Sequence, residues 1–126
     1  MLMQLAAVGI GATLGAWMRF GFNVWLAPHS GRWALGTLAA NLIGGYLVGI
    51  AVAYFALRAD LAPEWRLFAI TGFLGGLTTF SAFSAEVTQL LVGGELFSAT
   101  GLAATHLFGS LLLTMAGIAT VRALAS

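Results

Sequence analysis

The sequence contains no cysteine and no lysine, and charged side chains make up only 7% of its 126 residues. Without cysteine there is neither a disulfide framework nor thiolate chemistry. Soluble domains are about one quarter charged, so this scarcity of charge, together with a hydrophobic content of 60%, predicts a membrane protein. The formal net charge of +1 provides no basic surface for nucleic acid.

Groups for covalent or acid–base catalysis are also missing. The sequence has no Ser/His/Asp arrangement, no pair of neighbouring carboxylates and no glycine-rich loop within a nucleotide-binding pattern. We therefore do not expect an enzyme. The N-terminal residues Met1-Leu2-Met3-Gln4 lack the basic region of a cleavable signal, so we expect them to belong to the fold.

The rest of the chain is dominated by four long neutral stretches, each close to the roughly 20 residues that cross a bilayer core. They are Met1–Met18, Trp33–Leu57, Leu67–Ala85 and Leu96–Val121. We expect residues 1–126 to form one all-α membrane domain of four transmembrane helices, the first continuing to Leu26. Breaker residues separate the stretches at Pro28–Gly31, Asp60–Glu64 and Gly93-Gly94.

The third stretch contains the run Gly72–Ser84, which is poorly suited to one continuous helix. Gly75-Gly76 costs roughly 1 kcal/mol per residue relative to alanine, and the hydroxyls of Thr78-Thr79 compete for backbone partners. A helix broken in the membrane is tolerated only where the break is buried in protein or lines a polar path. The pattern predicts a mid-membrane break at an ion site, with a packing kink as the alternative.

Small residues recur at four-residue spacing on the first two helices. They are Gly11 and Gly15, then Gly36, Ala40 and Gly44, with Gly45 and Gly49 on an adjacent line. Such faces allow helices to approach closely in lipid. Packing within the chain accounts for about half of them, and because so many faces are small we also expect a homodimer.

The arginines give little topological bias. With four crossings, Arg58, Arg66 and Arg122 share one side of the membrane, and Arg32, with Arg19 as a possible addition, lies on the other. So small a difference does not fix orientation by the positive-inside rule. We hypothesise a protein that inserts both ways and pairs as an antiparallel dimer.

Two phenylalanines lie just beyond the expected break. Phe80 and Phe83 are three residues apart, so they share a helical face with Ser84 beside them. Because the edge of a phenylalanine ring is partially positive, the pair could hold a small anion without a buried cation. The alternative is two ordinary core phenylalanines.

Polar side chains on the second and fourth helices add candidate donors. Asn41 lies within the second helix, where its amide must be paired, and serves either a pore or an interhelical bond. His106, Ser110 and Thr114 form a line at four-residue steps, which suggests a hydrated track.

Arg19 either snorkels to the interface or sets a positive potential, and Glu86 is expected near a boundary of the third helix.

These motifs resemble the bacterial fluoride channels called Fluc or CrcB. The resemblance is carried by Gly36-Thr37-Leu38 with Asn41 and Gly44, by the run Gly72–Ser84, and by Gly11, Gly15 and Arg19. It covers the whole chain in length, helix count and motif order.

The resemblance implies passive, selective export of fluoride, which protects the cell from fluoride toxicity. It further implies an antiparallel, dual-topology homodimer in the bacterial inner membrane, with two pores along its interface. The matching pore positions are Asn41, Phe80, Ser81, Phe83, Ser84, His106, Ser110 and Thr114. The resemblance also implies a Na⁺ ion on the two-fold axis, held by the backbone carbonyls of Gly75 and Thr78 from both subunits. Arg19 and Glu86 are candidates for a vestibule.

Two other classes of membrane protein fit the composition. A small dual-topology exporter that couples drug efflux to protons would need an acid in the first helix, and Met1–Met18 contains none. A non-transporting assembly subunit would share the small-residue faces but would not account for Asn41, Ser110 and Thr114.

Overall fold

The computed structural model describes residues 1–126, and all of its regular secondary structure is helical. Its elements are α1 (Leu2–Leu26), a short 3₁₀ turn (Ala27–His29), α2 (Leu35–Leu57), α3, α4 (Ser81–Val92) and α5 (Leu96–Ala125). The helix α3 consists of three consecutive pieces, which are Pro63–Arg66, Leu67–Leu74 and Gly75–Leu77. α3 and α4 together form the third membrane segment.

Four segments are long and apolar enough to cross a bilayer, as the sequence predicted. They are Leu2–His29, Leu35–Leu57, Pro63–Val92 and Leu96–Ala125. The first helix ends at Leu26, where we expected it to end, because Pro28 lies in the tight turn that follows. Gly94 has a φ of 79° between α4 and α5, a conformation that glycine adopts without the steric penalty of a side chain.

The third segment is interrupted, but two residues beyond the glycine pair. Gly75 and Gly76 remain helical, and the helix ends at Thr78, whose backbone is extended with φ −89° and ψ 156°. Upstream, Leu67–Leu74 is wound as a π-helix, a form that is common near functional sites. The sequence therefore predicted the interruption correctly. Of the two causes that it offered, Thr78-Thr79 lies at the break and Gly75-Gly76 does not.

Gly76 instead permits close packing against α1. A Cβ on Gly76 would collide with the backbone of Ala12, and a Cβ on Gly15 would lie 2.7 Å from the nitrogen of Leu77. Gly75 differs, because the only atom near its added Cβ is the Ile70 oxygen at 3.7 Å. Gly75 is exposed, so packing within one chain does not explain its lack of a side chain.

The small-residue faces that we assigned in part to a homodimer all pack within the chain. Gly11 and Gly15 contact α3, and Gly36 contacts Asn23 of α1. Gly44 contacts Thr78, while Gly45 and Gly49 lie against the backbone of α5. Ala40 is fully buried. The inference of a dimer from these particular faces was therefore wrong, and a dimer needs a different surface.

Most charged side chains lie at the ends of the helices. Arg32 pairs with Glu95 at 2.7 Å, and the exposed Arg58 guanidinium donates two hydrogen bonds of 3.0 Å to Asp60. The hydrogen bonds from Arg58 lower the pKa of the Asp60 carboxyl below its usual value. Exposed pairs of this kind contribute little to stability.

Arg19 does not belong to either set of loop charges. Its Nε donates a 3.1 Å hydrogen bond to the carbonyl oxygen of Gly76, in the third membrane segment. The arginines outside the membrane segments and at their ends are thus Arg58, Arg66 and Arg122 on one side and Arg32 on the other. Without Arg19 the two sides differ more in their number of arginines than they did in the sequence analysis. The arginines therefore give less support to insertion in both orientations.

Candidate functional site

A cavity of about 400 Å³ lies where the break between α3 and α4 meets α2 and α5. It is lined by Asn41, Gly45, Val48, Thr78, Thr79, Phe80, Phe83, His106, Leu107, Ser110, Leu111 and Thr114. Six of the eight residues predicted for a fluoride pore belong to this lining, although they come from three different helices. The break thus brings together side chains that are far apart in sequence.

Asn41 pairs with the backbone that the break releases. Its Oδ1 accepts a hydrogen bond from the Thr79 N–H at 2.8 Å, and its Nδ2 donates to the Thr79 carbonyl at 2.9 Å. The same Nδ2 lies 3.1 Å from Nδ1 of His106. Unpaired peptide groups are costly in a membrane. Asn41 pairs the N–H and carbonyl groups of Thr79 at the break and also connects α2 to α5 through His106.

Three rings line one side of the cavity. Phe80 and Phe83 meet edge to face, with centroids 5.5 Å apart and planes at 69°. Phe83 also contacts the His106 ring at 4.5 Å. Phe80 is 77% exposed, so its ring stands at the mouth of the cavity whereas Phe83 lies deeper.

The predicted polar line on α5 is present and faces the cavity. His106 is only 4% exposed, and Ser110 and Thr114 follow it at one-turn intervals. The Thr114 hydroxyl lies 2.9 Å from the Gly45 carbonyl and 2.9 Å from the Ser110 carbonyl. It therefore links α5 to α2 as well as lining the cavity.

Apart from Thr78, the remaining predicted residues lie outside the cavity lining. Ser81 and Ser84 are exposed on α4, and Arg19 is bonded to Gly76 as described above. Of the two proposed sodium ligands, Thr78 lines the cavity and Gly75 lies one turn before it on an exposed surface.

The acid of α4 has a partner that the sequence did not suggest. Glu86 lies within Ser81–Val92, not at a boundary of the segment as predicted. Its Oε2 accepts a 2.7 Å hydrogen bond from Thr37, and its Oε1 is buried without a hydrogen-bond partner. Thr37 precedes Asn41 by one turn of α2, and that shared face was the available signal.

The arrangement is suited to binding a small anion. The polar atoms on the lining come from an amide, hydroxyls and an imidazole, and none of the lining residues is an acid, a lysine or an arginine. Neutral donors in a low-dielectric pocket attract an anion strongly without holding it as a buried cation would. Ring edges add partial positive charge at the mouth.

Comparisons with known proteins identify the family of this chain. Residues 6–118 match the family described as CrcB-like protein, Camphor Resistance (CrcB). The chain is 57% identical over 123 residues to a protein of Cupriavidus necator, with 98% of each chain covered. It is 54% identical over 126 residues to one of Variovorax paradoxus, covering 100% of both. A protein of Pseudomonas putida is 53% identical over 120 residues, covering 95% of this chain and 94% of the relative. All three relatives are named fluoride-specific ion channel FluC, and this chain belongs to the CrcB family.

Proposed function

We propose that this protein is a fluoride-selective channel that exports F⁻ passively across a bacterial inner membrane and so limits fluoride toxicity. The observation that carries the proposal is the cavity beside the break, where uncharged donors and phenylalanine rings face one space. The names of the relatives supply the identity of the anion.

The hydration of fluoride explains why such a site would suit it. The ion is small and tightly hydrated, so a selective path must replace its water with several converging donors. Hydroxyl, imidazole and ring-edge groups provide these on the cavity wall. Because F⁻ moves down its electrochemical gradient, transport requires neither a nucleotide site nor a coupling carboxylate.

A second copy of the chain completes the site in this proposal. The cavity has polar lining from Asn41, His106 and Ser110, yet the chain leaves Phe80 at its mouth 77% exposed. Polar side chains in a cavity that faces lipid are unfavourable, and burial against protein removes that penalty. Gly75 supports the same interface, because its open backbone face allows another backbone to approach closely. Two copies would then form two pores.

We further propose a structural Na⁺ ion at the two-fold axis of this dimer. The residues fit such an ion, because the last carbonyls of a helix have no intrahelical partner and α3 ends next to Gly75 and Thr78. No group of three or more His, Cys, Asp or Glu residues is available for a metal. Neutral carbonyl oxygens suit a hard monovalent cation, which would hold the two breaks together and add positive potential near the anion path.

The antiparallel arrangement of the dimer rests on the family resemblance, since the arginine count no longer supports it. We expect a C-terminal tag to be accessible from both faces of the membrane in intact cells and inverted vesicles. Cross-linking between copies at an introduced Gly75→Cys would test the interface, with Gly9→Cys on the outer face of α1 as the control. Tags confined to one face would contradict dual topology, and absence of a Gly75 cross-link would contradict this interface.

The decisive test of function is ion efflux from proteoliposomes that contain the purified protein. With a membrane potential supplied by valinomycin and K⁺, we expect rapid F⁻ release detected by a fluoride electrode and no Cl⁻ release above protein-free vesicles. Equal release of the two halides would refute selectivity. No release of either would refute channel function.

The proton-coupled exporter is not favoured by the structure. α1 contains no Asp or Glu, so the first helix has no group to carry a proton. The acid on α4, Glu86, is bonded to Thr37 and is absent from the cavity lining.

A further inference from the structure

The hydrogen bonds around Asn41 determine the position of a proton on His106. A backbone N–H can only donate, so the Asn41 atom facing the Thr79 N–H must be the amide oxygen. This fixes Nδ2 on the other side of the amide, where one hydrogen goes to the Thr79 carbonyl and the second points to Nδ1 of His106. The orientation of the amide is therefore set by the main chain of the break.

The imidazole must then accept at Nδ1. A neutral histidine carries its proton on one nitrogen and accepts at the other. With Nδ1 facing the amide hydrogen of Asn41 at 3.1 Å, the proton belongs on Nε2. Protonating Nδ1 as well would set two N–H groups against each other. The contact with Asn41 thus favours the neutral Nε2–H form.

The Nε2–H group has no acceptor within the chain. His106 is 4% exposed and its Nε2 is buried without a hydrogen-bond partner. Glu86, the acid on the adjacent helix, does not pair with it, since the two ion pairs of the chain are Arg32–Glu95 and Arg58–Asp60. Buried donors are rarely left unpaired, and this one belongs to a residue that lines the cavity beside Phe83.

We propose that Asn41 is a positioning residue that holds His106 as the Nε2–H tautomer, and that this N–H binds the permeating anion. The inference deepens the proposed function, on which the identity of the anion as fluoride rests. Both amide hydrogens of Asn41 are engaged by Thr79 and His106, so Asn41 acts on the anion through the imidazole. The main chain of the break, the amide and the imidazole form one connected series of hydrogen bonds that ends at the anion.

Solid-state NMR of the full chain in liposomes tests the tautomer directly. The sequence has two histidines, so His29→Gln leaves His106 as the single ¹⁵N-labelled imidazole. We expect a protonated Nε2 and an unprotonated Nδ1. In the N41D variant the carboxylate can accept from Nδ1, and we expect the Nδ1–H or doubly protonated form to appear. Thr105→Val, one residue away with its hydroxyl bonded to Gly101, should leave the tautomer unchanged.

Anion binding is tested in the same samples by adding NaF or, as the control, NaCl. Fluoride should shift the Nε2 resonance and chloride should not. An Nδ1–H tautomer in the H29Q protein would overturn the positioning role of Asn41, and an Nε2 resonance insensitive to fluoride would overturn the anion contact. Because the tautomer is read without transport, a protein that shows the Nε2–H form but releases no F⁻ would refute the channel function while leaving the role of Asn41 intact.

Discussion

Replacing Phe83 by isoleucine is expected to reduce fluoride efflux by about tenfold or more, which corresponds to about 1.4 kcal/mol in the permeation barrier. Isoleucine fills a similar volume but has no ring edge with partial positive charge. The substitution also removes the contact with the imidazole of His106, 4.5 Å between centroids in the native chain. The anion would then meet a hydrocarbon wall at the step where it has shed its water. Initial F⁻ release from proteoliposomes, normalised to reconstituted protein, measures the effect.

The chain provides a matched control for this substitution. Phe97 is 95% exposed at the start of α5 and does not line the cavity beside the break. Phe97→Ile should therefore leave efflux unchanged within a factor of about two. Size-exclusion chromatography of both variants establishes that assembly is retained. Normal efflux through folded F83I protein would mean that the ring serves packing alone.

The helical framework was readable from the sequence because the bilayer imposes a simple length rule. About 20 apolar residues cross the hydrocarbon core, and the charges and breakers of this chain fall between four such stretches. The tight turn after Leu26 needed no tertiary information, since Pro28 restricts its own φ. The same rule has no bearing on how the four helices pack against one another.

The position of the break in the third segment could not be fixed from local helix propensity. Glycine is a poor helix former on average, and that preference pointed to Gly75-Gly76, whereas the competing hydroxyls pointed to Thr78-Thr79. In the structure Gly76 stays helical and α1 packs on its bare backbone. The chain opens at Thr78, where Asn41 can bond the released peptide groups of Thr79. The decisive partner lies 38 residues away. Local propensity contains no information about such a partner.

The candidate site was predicted in part for the same reason. Phe80 and Phe83, or His106 and Ser110, could be paired by helical spacing within one element. The link between Asn41 and His106 joins α2 to α5, and the link between Thr37 and Glu86 joins α2 to α4. These contacts depend on how far each helix is shifted along its neighbour. The helices meet in close backbone contact at glycines, and hydrophobic periodicity does not predict that shift.

Gly15 allows α1 to pack directly against the backbone of α3. Gly15→Ala should destabilise the folded protein by about 1–3 kcal/mol, the usual range for overpacking. The added methyl would overlap the Phe73 carbonyl and lie 2.7 Å from the Leu77 nitrogen. Backbone atoms have little freedom to move aside, so α1 would have to separate from α3 next to the break. Thermal unfolding in detergent, followed by loss of monodisperse protein, measures the change.

Gly9→Ala is the control on the same helix, because no atom lies within 4 Å of the position that its Cβ would take. The methyl there replaces a glycine in an exposed helical position, where alanine is the better helix former by about 1 kcal/mol, so the unfolding temperature should hold or rise. The contrast between two glycine-to-alanine changes six residues apart separates interlocking from helix propensity. If both variants unfold alike, the close approach of α1 to α3 does not determine stability. If only G15A loses stability, the close backbone contact between α1 and the end of α3 contributes to the stability of the fold.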